Sequence, residues 1–179
     1  MFRRIGTVVM LALAFGAVAQ EADLASVTSL KVDLEQVVQL GTVSPVDGIT
    51  AAGQPDKAAL EVCTDAGYAT VIDIRGEDEN RGFEEAAFVE ELGMHYVPFP
   101  IDREGDISFA SARKLDELLQ QYPGPVLVHC ASGNRVGALL ALRASLNGAD
   151  DEQALALGRE GGLTRLEGLV RKRLAEGEQ

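Results

Sequence analysis

The sequence predicts an α/β fold in three layers: a central, mostly parallel sheet of about four to five strands flanked on both faces by helices. Two observations carry this. From residue 49 onward, short β-branched runs alternate with helical stretches, and the connections between them are short and rich in Gly, Pro and Asp. The runs 69–74 and 126–129 are almost wholly apolar and bounded by turn residues, the pattern of strands buried on both faces.

Taken in order, residues 49–52 form the first strand, and Gly53-Gln54-Pro55 turns into a helix over 55–66 with Pro at its start and Gly67 behind its end. The strand 69–74 leads through a charged loop, 75–81, into a helix over 82–92 closed by Gly93. Residues 94–98 are a strand, 99–107 a loop, and Ser108 opens a helix to Tyr122 that Pro123-Gly124-Pro125 breaks. The strand 126–129 then runs through a short loop into an apolar helix over 136–146, and two more helices follow near 151–159 and 163–175.

Of the 179 residues, the first 19 hold Arg3 and Arg4, an apolar run from Ile5 to Val18, and the small-x-small triplet Ala17-Val18-Ala19. This predicts a secretory signal peptide cleaved before Gln20, and hence a periplasmic or secreted protein. The run is shorter than the roughly 20 apolar residues of a membrane span, so no span is expected after cleavage. Residues 20–45 read as an N-terminal extension, in which 31–40 fits a short helix or strand, and residues 46–179 as one domain.

Acidic residues number 28 against 16 basic ones, a net charge of −12. Such a surface repels polyanions, which excludes nucleic acid as a partner and requires any anionic substrate to be captured locally. The two cysteines of an exported chain could pair, but a domain of this size needs no staple. Cys63, among Leu60, Val62 and Ala66, reads as a small buried residue of a helix. Two histidines and no carboxylates at ligand spacing point to no metal and no cofactor. His95, on its own strand, reads as structural.

Chemistry concentrates in His129-Cys130-Ala131-Ser132-Gly133-Asn134-Arg135. In sheets of this kind ligands bind beyond the carboxyl ends of the strands, where 126–129 delivers Cys130. The loop runs directly into a helix whose first N–H groups lack partners and attract an anion. Gly133 lets the backbone curl, and Ser132 and Asn134 can hold the curl by local hydrogen bonds. The segment formed by Ala131, Ser132, Gly133, Asn134, Val136 and Gly137 is therefore expected to line the substrate anion. Arg135 adds a planar fork for phosphate or sulfur oxyanions. Among these donors Cys130 is expected to be a thiolate nucleophile, with His129 supporting it through the loop backbone.

At these residues the chain resembles the cysteine-dependent phosphatases of the dual-specificity type, closest to the bacterial phosphatase-like domains found fused to beta-lactamase-like hydrolases and to NAD kinases. The matching segments are Ala52-Gly53-Gln54-Pro55, Val71-Ile72-Asp73-Ile74-Arg75, Tyr96-Val97-Pro98, and Gly124 to Arg135. The resemblance implies a dual-specificity-phosphatase-like three-layer sandwich. It also implies a phospho-Cys130 intermediate, Arg135 on the equatorial oxygens, and a loop aspartate that protonates the leaving group. Asp102 is the candidate for that acid and Asp106 the alternative.

Two features differ from that family. Four residues rather than five separate Cys130 from Arg135, and Val136 stands where a hydroxyl residue is usual. The four-residue spacing resembles the active loop of rhodaneses, whose cysteine carries a persulfide. Three readings follow: a phosphate-monoester hydrolase acting on a small phosphate-containing anion or a phosphoprotein, a sulfurtransferase taking sulfur from a sulfur-containing anion, and a non-catalytic anion-binding module. The acidic run Glu77-Asp78-Glu79 reads as a solvated loop.

Overall fold

A computed structural model describes residues 31–43 and 48–178. The expected signal peptide, residues 1–19, lies outside these residues. The described part follows the predicted order: α1 (Leu34–Leu40), β1 (Ile49–Ala52), α2 (Lys57–Asp65), β2 (Thr70–Asp73), α3 (Glu85–Glu91), β3 (His95–Pro98), α4 (Phe109–Gln121), β4 (Val126–His129), α5 (Asn134–Leu146), α6 (Asp151–Glu160) and α7 (Glu167–Glu176). The extension's ambiguous stretch divides: Lys31 makes a parallel bridge to Ala51, and Asp33 caps α1 by accepting from the Glu35 and Gln36 N–H groups.

The sheet has four strands, the lower of the expected numbers, all parallel in the order β1-β4-β2-β3. Its two faces carry separate apolar clusters. Ile49, Ala51, Ile72, Val126 and Val128 pack against α4, α5, α6 and α7. Ala52, Val71 and Leu127 face Leu60 and Cys63 of α2 and Val89 of α3. Strand alternation assigns neighbours to opposite faces, so both faces must be apolar, and every residue of β1, β2 and β4 is buried.

The order places β4 between β1 and β2. The carboxyl ends of all four strands lie on one edge, so the segments leaving Ala52, Asp73, Pro98 and His129 converge there. Helix caps set the starting points: Asp56 accepts from the Ala59 N–H, Ser108 from Ser111, and Asp150 with Gln153 forms a reciprocal capping box on α6. The α5 helix starts two residues earlier than the apolar pattern indicated, at Asn134, and its cap residue Gly133 supplies no side chain.

Candidate active site

Cys130 leaves β4 at the sheet's edge, with its N–H donating to the Ala52 carbonyl at 3.3 Å. The next residues curl back toward β1: Gly53 bridges Ser132, and the Gln54 N–H donates to the Ala131 carbonyl at 3.3 Å. Gly133 then takes φ +81°, a left-handed conformation that only glycine adopts without strain, and its N–H donates to Cys130 Sγ at 3.1 Å. The curl is thus held by backbone contacts to Gly53 and Gln54 rather than by the loop's own polar side chains. Asn134 is buried and turns away from the curl, its Oδ1 accepting from the Thr164 N–H and hydroxyl and from the Leu166 N–H. Its side chain anchors the segment before α7, and Ala131 and Ser132 remain exposed.

The two residues past Arg135 serve the packing of α5. Val136 is fully buried in the core cluster. The Gly137 N–H closes the first turn of α5 on the Gly133 carbonyl at 2.9 Å, and a Cβ at Gly137 would overlap the Leu163 N and Gly158 O atoms. Gly137 therefore serves the close crossing of α5 over α6.

Arg135 is held by Glu79. Both carboxylate oxygens accept from the guanidinium, at 2.5 and 2.8 Å, and a third N–H contact reaches the Ile101 carbonyl at 3.0 Å. The Arg135 hydrogen bond holds the Glu79 carboxyl well below its usual range, at about 2, and Glu79 in turn raises Arg135. The solvated-loop reading of Glu77-Asp78-Glu79 holds for Glu77 and Asp78, which are exposed, and fails for Glu79. Its partner is 56 residues away in the chain, so local sequence carried no sign of the pair. The available signal was position: 75–81 leaves a strand's carboxyl end beside the reactive loop.

The loop after β3 presents Asp102 and Asp106 differently. Asp106 accepts from the backbone N–H groups of Asp102 and Arg103, at 3.1 and 2.9 Å, and so pins the turn. The Asp102 carboxylate is exposed and rests against Gly76, whose own N–H donates to Glu79 Oε1. Gly76, Glu79 and Asp102 share a depression of about 260 Å³ beside Arg135. On the other flank of the reactive loop, a groove of about 630 Å³ runs along Ala131 and Ser132 between the 31–35 segment and Arg159-Glu160.

His129 takes a role other than the one expected. Its ring is fully buried on the face of the sheet that holds α2 and α3 and does not reach the loop backbone. There Nε2 lies 2.9 Å from Glu85 Oε1 and 3.7 Å from Asp73 Oδ1. Asp73, Glu85 and His129 together are close enough to hold a cation, a set that three distant stretches of sequence assemble and that spacing did not reveal. Asp73 is already engaged, accepting from the Arg75 N–H, Arg81 Nε and the Tyr96 hydroxyl. His95 stacks at a tilt on Tyr122, away from this cluster.

Both cysteines are free. Cys63 belongs to the cluster on one face of the sheet and Cys130 to that on the other, so the sheet separates them. Burial pushes the Cys63 thiol up to about 12, which keeps it protonated and inert.

The model of the family described as a DSP-PTPase phosphatase fused to NAD+ kinase matches residues 37–166. The chain belongs to that family. No curated protein matches it. Among solved structures, a candidate phosphatase of Neisseria meningitidis shares 24% identity at a TM-score of 0.59, over 69% of this chain and 89% of that one. A candidate phosphatase of Shewanella putrefaciens shares 19% at 0.55, over 83% of this chain and all of that one. TpbA of P. aeruginosa shares 18% at 0.51, over 70% and 78%. At these identities the likeness establishes the fold: a dual-specificity-phosphatase-like α/β sandwich. No helix among the described residues is long and apolar enough to cross a membrane.

Proposed function

We propose that the protein hydrolyses phosphate monoesters through a phospho-cysteine at Cys130. The observation that carries this reading is the loop itself. Cys130 Sγ accepts the Gly133 N–H beneath an α5 start that no side chain caps, with Arg135 beside it and Asp102 in the depression lined by Glu79, the partner of Arg135. Free N–H groups at that helix start take the equatorial oxygens of phosphate together with Arg135. The Cys130 thiolate attacks phosphorus, the bond to the ester oxygen breaks, and Asp102 gives its proton to the departing alkoxide. Water then attacks the phospho-cysteine while the Asp102 carboxylate takes a proton, releasing orthophosphate and the thiolate. The Gly133 N–H on Sγ stabilises the departing sulfur, work that a hydroxyl at position 136 would otherwise do.

The substrate in this reading is a small phosphate monoester or a phosphoprotein, and the signal-peptide pattern of residues 1–19 supports a periplasmic or secreted enzyme. A sulfurtransferase reading is favoured by one observation, the four-residue span from Cys130 to Arg135 with no hydroxyl after it. The purified protein, assayed in parallel for p-nitrophenyl phosphate hydrolysis and for thiosulfate-to-cyanide sulfur transfer, separates the two. Phosphate release that disappears in Cys130→Ser is the expected result. Thiocyanate formation without phosphate release sinks the phosphatase reading, and phosphate binding without either activity leaves an anion-binding module.

A further inference from the structure

A circuit of polar contacts links the two ends of the reactive loop through residues beneath it. It starts at His129, whose Nε2 lies 2.9 Å from Glu85 Oε1. The other Glu85 oxygen accepts from Gln54 Nε2 at 2.8 Å, and Gln54 Oε1 accepts from an Arg75 guanidinium N–H. Arg75 Nε donates to Glu79 at 3.2 Å, and Glu79 grips Arg135. Six side chains, from β4, α3, the turn after β1, the loop after β2 and α5, thereby join the residue before Cys130 to Arg135.

Glu85 is the unusual member. It is 1% exposed, and a carboxylate so buried is costly unless it is held by donors. Its Oε1 lies close to His129 Nε2, yet neither that oxygen nor either ring nitrogen has a hydrogen-bond partner among the described residues. Asp73, Arg81 and Tyr96 also face this space, but Arg81 and Tyr96 are spent on Asp73, and Asp73 lies farther from the ring, at 3.7 Å. A buried charged cluster of this kind is a weak source of stability compared with an apolar filling, which leaves geometry as its benefit.

We infer that Glu85 is a positioning residue: through His129 on one side and Gln54 on the other, it sets the separation of Cys130 and Arg135. The inference rests on the phosphatase reading above. The short span gives it a reason. With four residues between Cys130 and Arg135, and the Asn134 side chain committed to the segment before α7, the place of Arg135 is decided by the Ile101 carbonyl, by Glu79 and by whatever holds Glu79.

The test compares Glu85→Ala, Glu85→Gln and Gln54→Ala with the unaltered protein. The readouts are kcat and KM for p-nitrophenyl phosphate, orthophosphate affinity by calorimetry, and the thermal transition. Glu85→Ala is expected to lower kcat by roughly 10²-fold, the loss that about 1 Å of misplacement causes, while KM moves far less. Glu85→Gln, which keeps an acceptor beside His129, recovers most of that loss. Gln54→Ala, at a half-buried position, weakens orthophosphate binding by about tenfold as Arg135 loses its distant anchor. If Glu85→Ala does not fold, Gln54→Ala decides. Turnover within twofold of the unaltered protein in the folded variants, with only the melting temperature lowered, overturns the inference. So does activity that a chelator abolishes and Zn²⁺ restores, since the cluster would then be a metal site. Should the unaltered protein hydrolyse no phosphate, the phosphatase reading fails, and the orthophosphate affinity of Gln54→Ala still reports whether Arg135 is held through this circuit.

Discussion

Glu79 holds Arg135 fork to fork, each carboxylate oxygen facing one guanidinium nitrogen at 2.5 and 2.8 Å. An arginine held this way presents a fixed plane to an incoming oxyanion, so little rotamer freedom remains to be lost on binding. Arg135 also donates to the Ile101 carbonyl just before Asp102, which ties the loop after β3 to the start of α5.

The pair has a pH signature. Glu79 sits at about 2 in the folded protein against an ordinary value of 4.5, so it binds fewer protons folded than unfolded between these limits. Its contribution to stability is complete above about 4.5 and is lost as the pH falls toward about 2. Urea midpoints measured from pH 6 to pH 2.5 should decline on the acid side, and Glu79→Gln should flatten that decline while raising the KM for p-nitrophenyl phosphate. An unchanged acid limb in Glu79→Gln would remove the pair from both roles.

Asp102 and Asp106 should separate by phenotype. Asp102→Asn is expected to slow hydrolysis of an alkyl phosphate by about 10²-fold, the usual worth of general acid catalysis, with a smaller effect on p-nitrophenyl phosphate, whose leaving group needs little protonation. Asp106→Asn should lower stability by about 1 kcal/mol through the weakened turn and leave the leaving-group dependence intact. Gly76→Ala acts on the same step, since its Cβ would collide with the Asp102 carboxylate. Rates on both substrates for the three variants check this; a leaving-group effect in Asp106→Asn alone would transfer the acid role.

The crossing of α5 over α6 tolerates no added methyl. A Cβ at Gly158 would sit 2.7 Å from the Ala141 Cβ and 2.9 Å from the Gly137 carbonyl, and one at Gly137 would overlap backbone. Gly158→Ala and Gly137→Ala should each cost about 1–3 kcal/mol, the range for overpacking. Gly168→Ala, with open space around it and a helical position, should be neutral or slightly stabilising. Thermal or urea unfolding of the three variants measures the contrast, and equal stability would mean that the helices separate at little cost.

What the sequence determined by itself is the part governed by short range. Strand and helix periodicity yielded the element order, and with it the delivery of Cys130, Gly133 and Arg135 to the junction between β4 and α5. What only the tertiary structure decided are the pairings between segments far apart. Gln54 meets Glu85 across 31 residues, and Glu79 meets Arg135 across 56. Asp102 and Asp106 look alike as residues, and only the direction of the loop's backbone N–H groups commits one of them to structure. His129 reads in sequence as part of the reactive loop, yet strand alternation turns its ring to the opposite face from Cys130, toward Glu85 and Asp73. Periodicity says which residues share a face of one element; the crossover that inserts β4 between β1 and β2 decides which elements share an edge, and that is where this site is assembled.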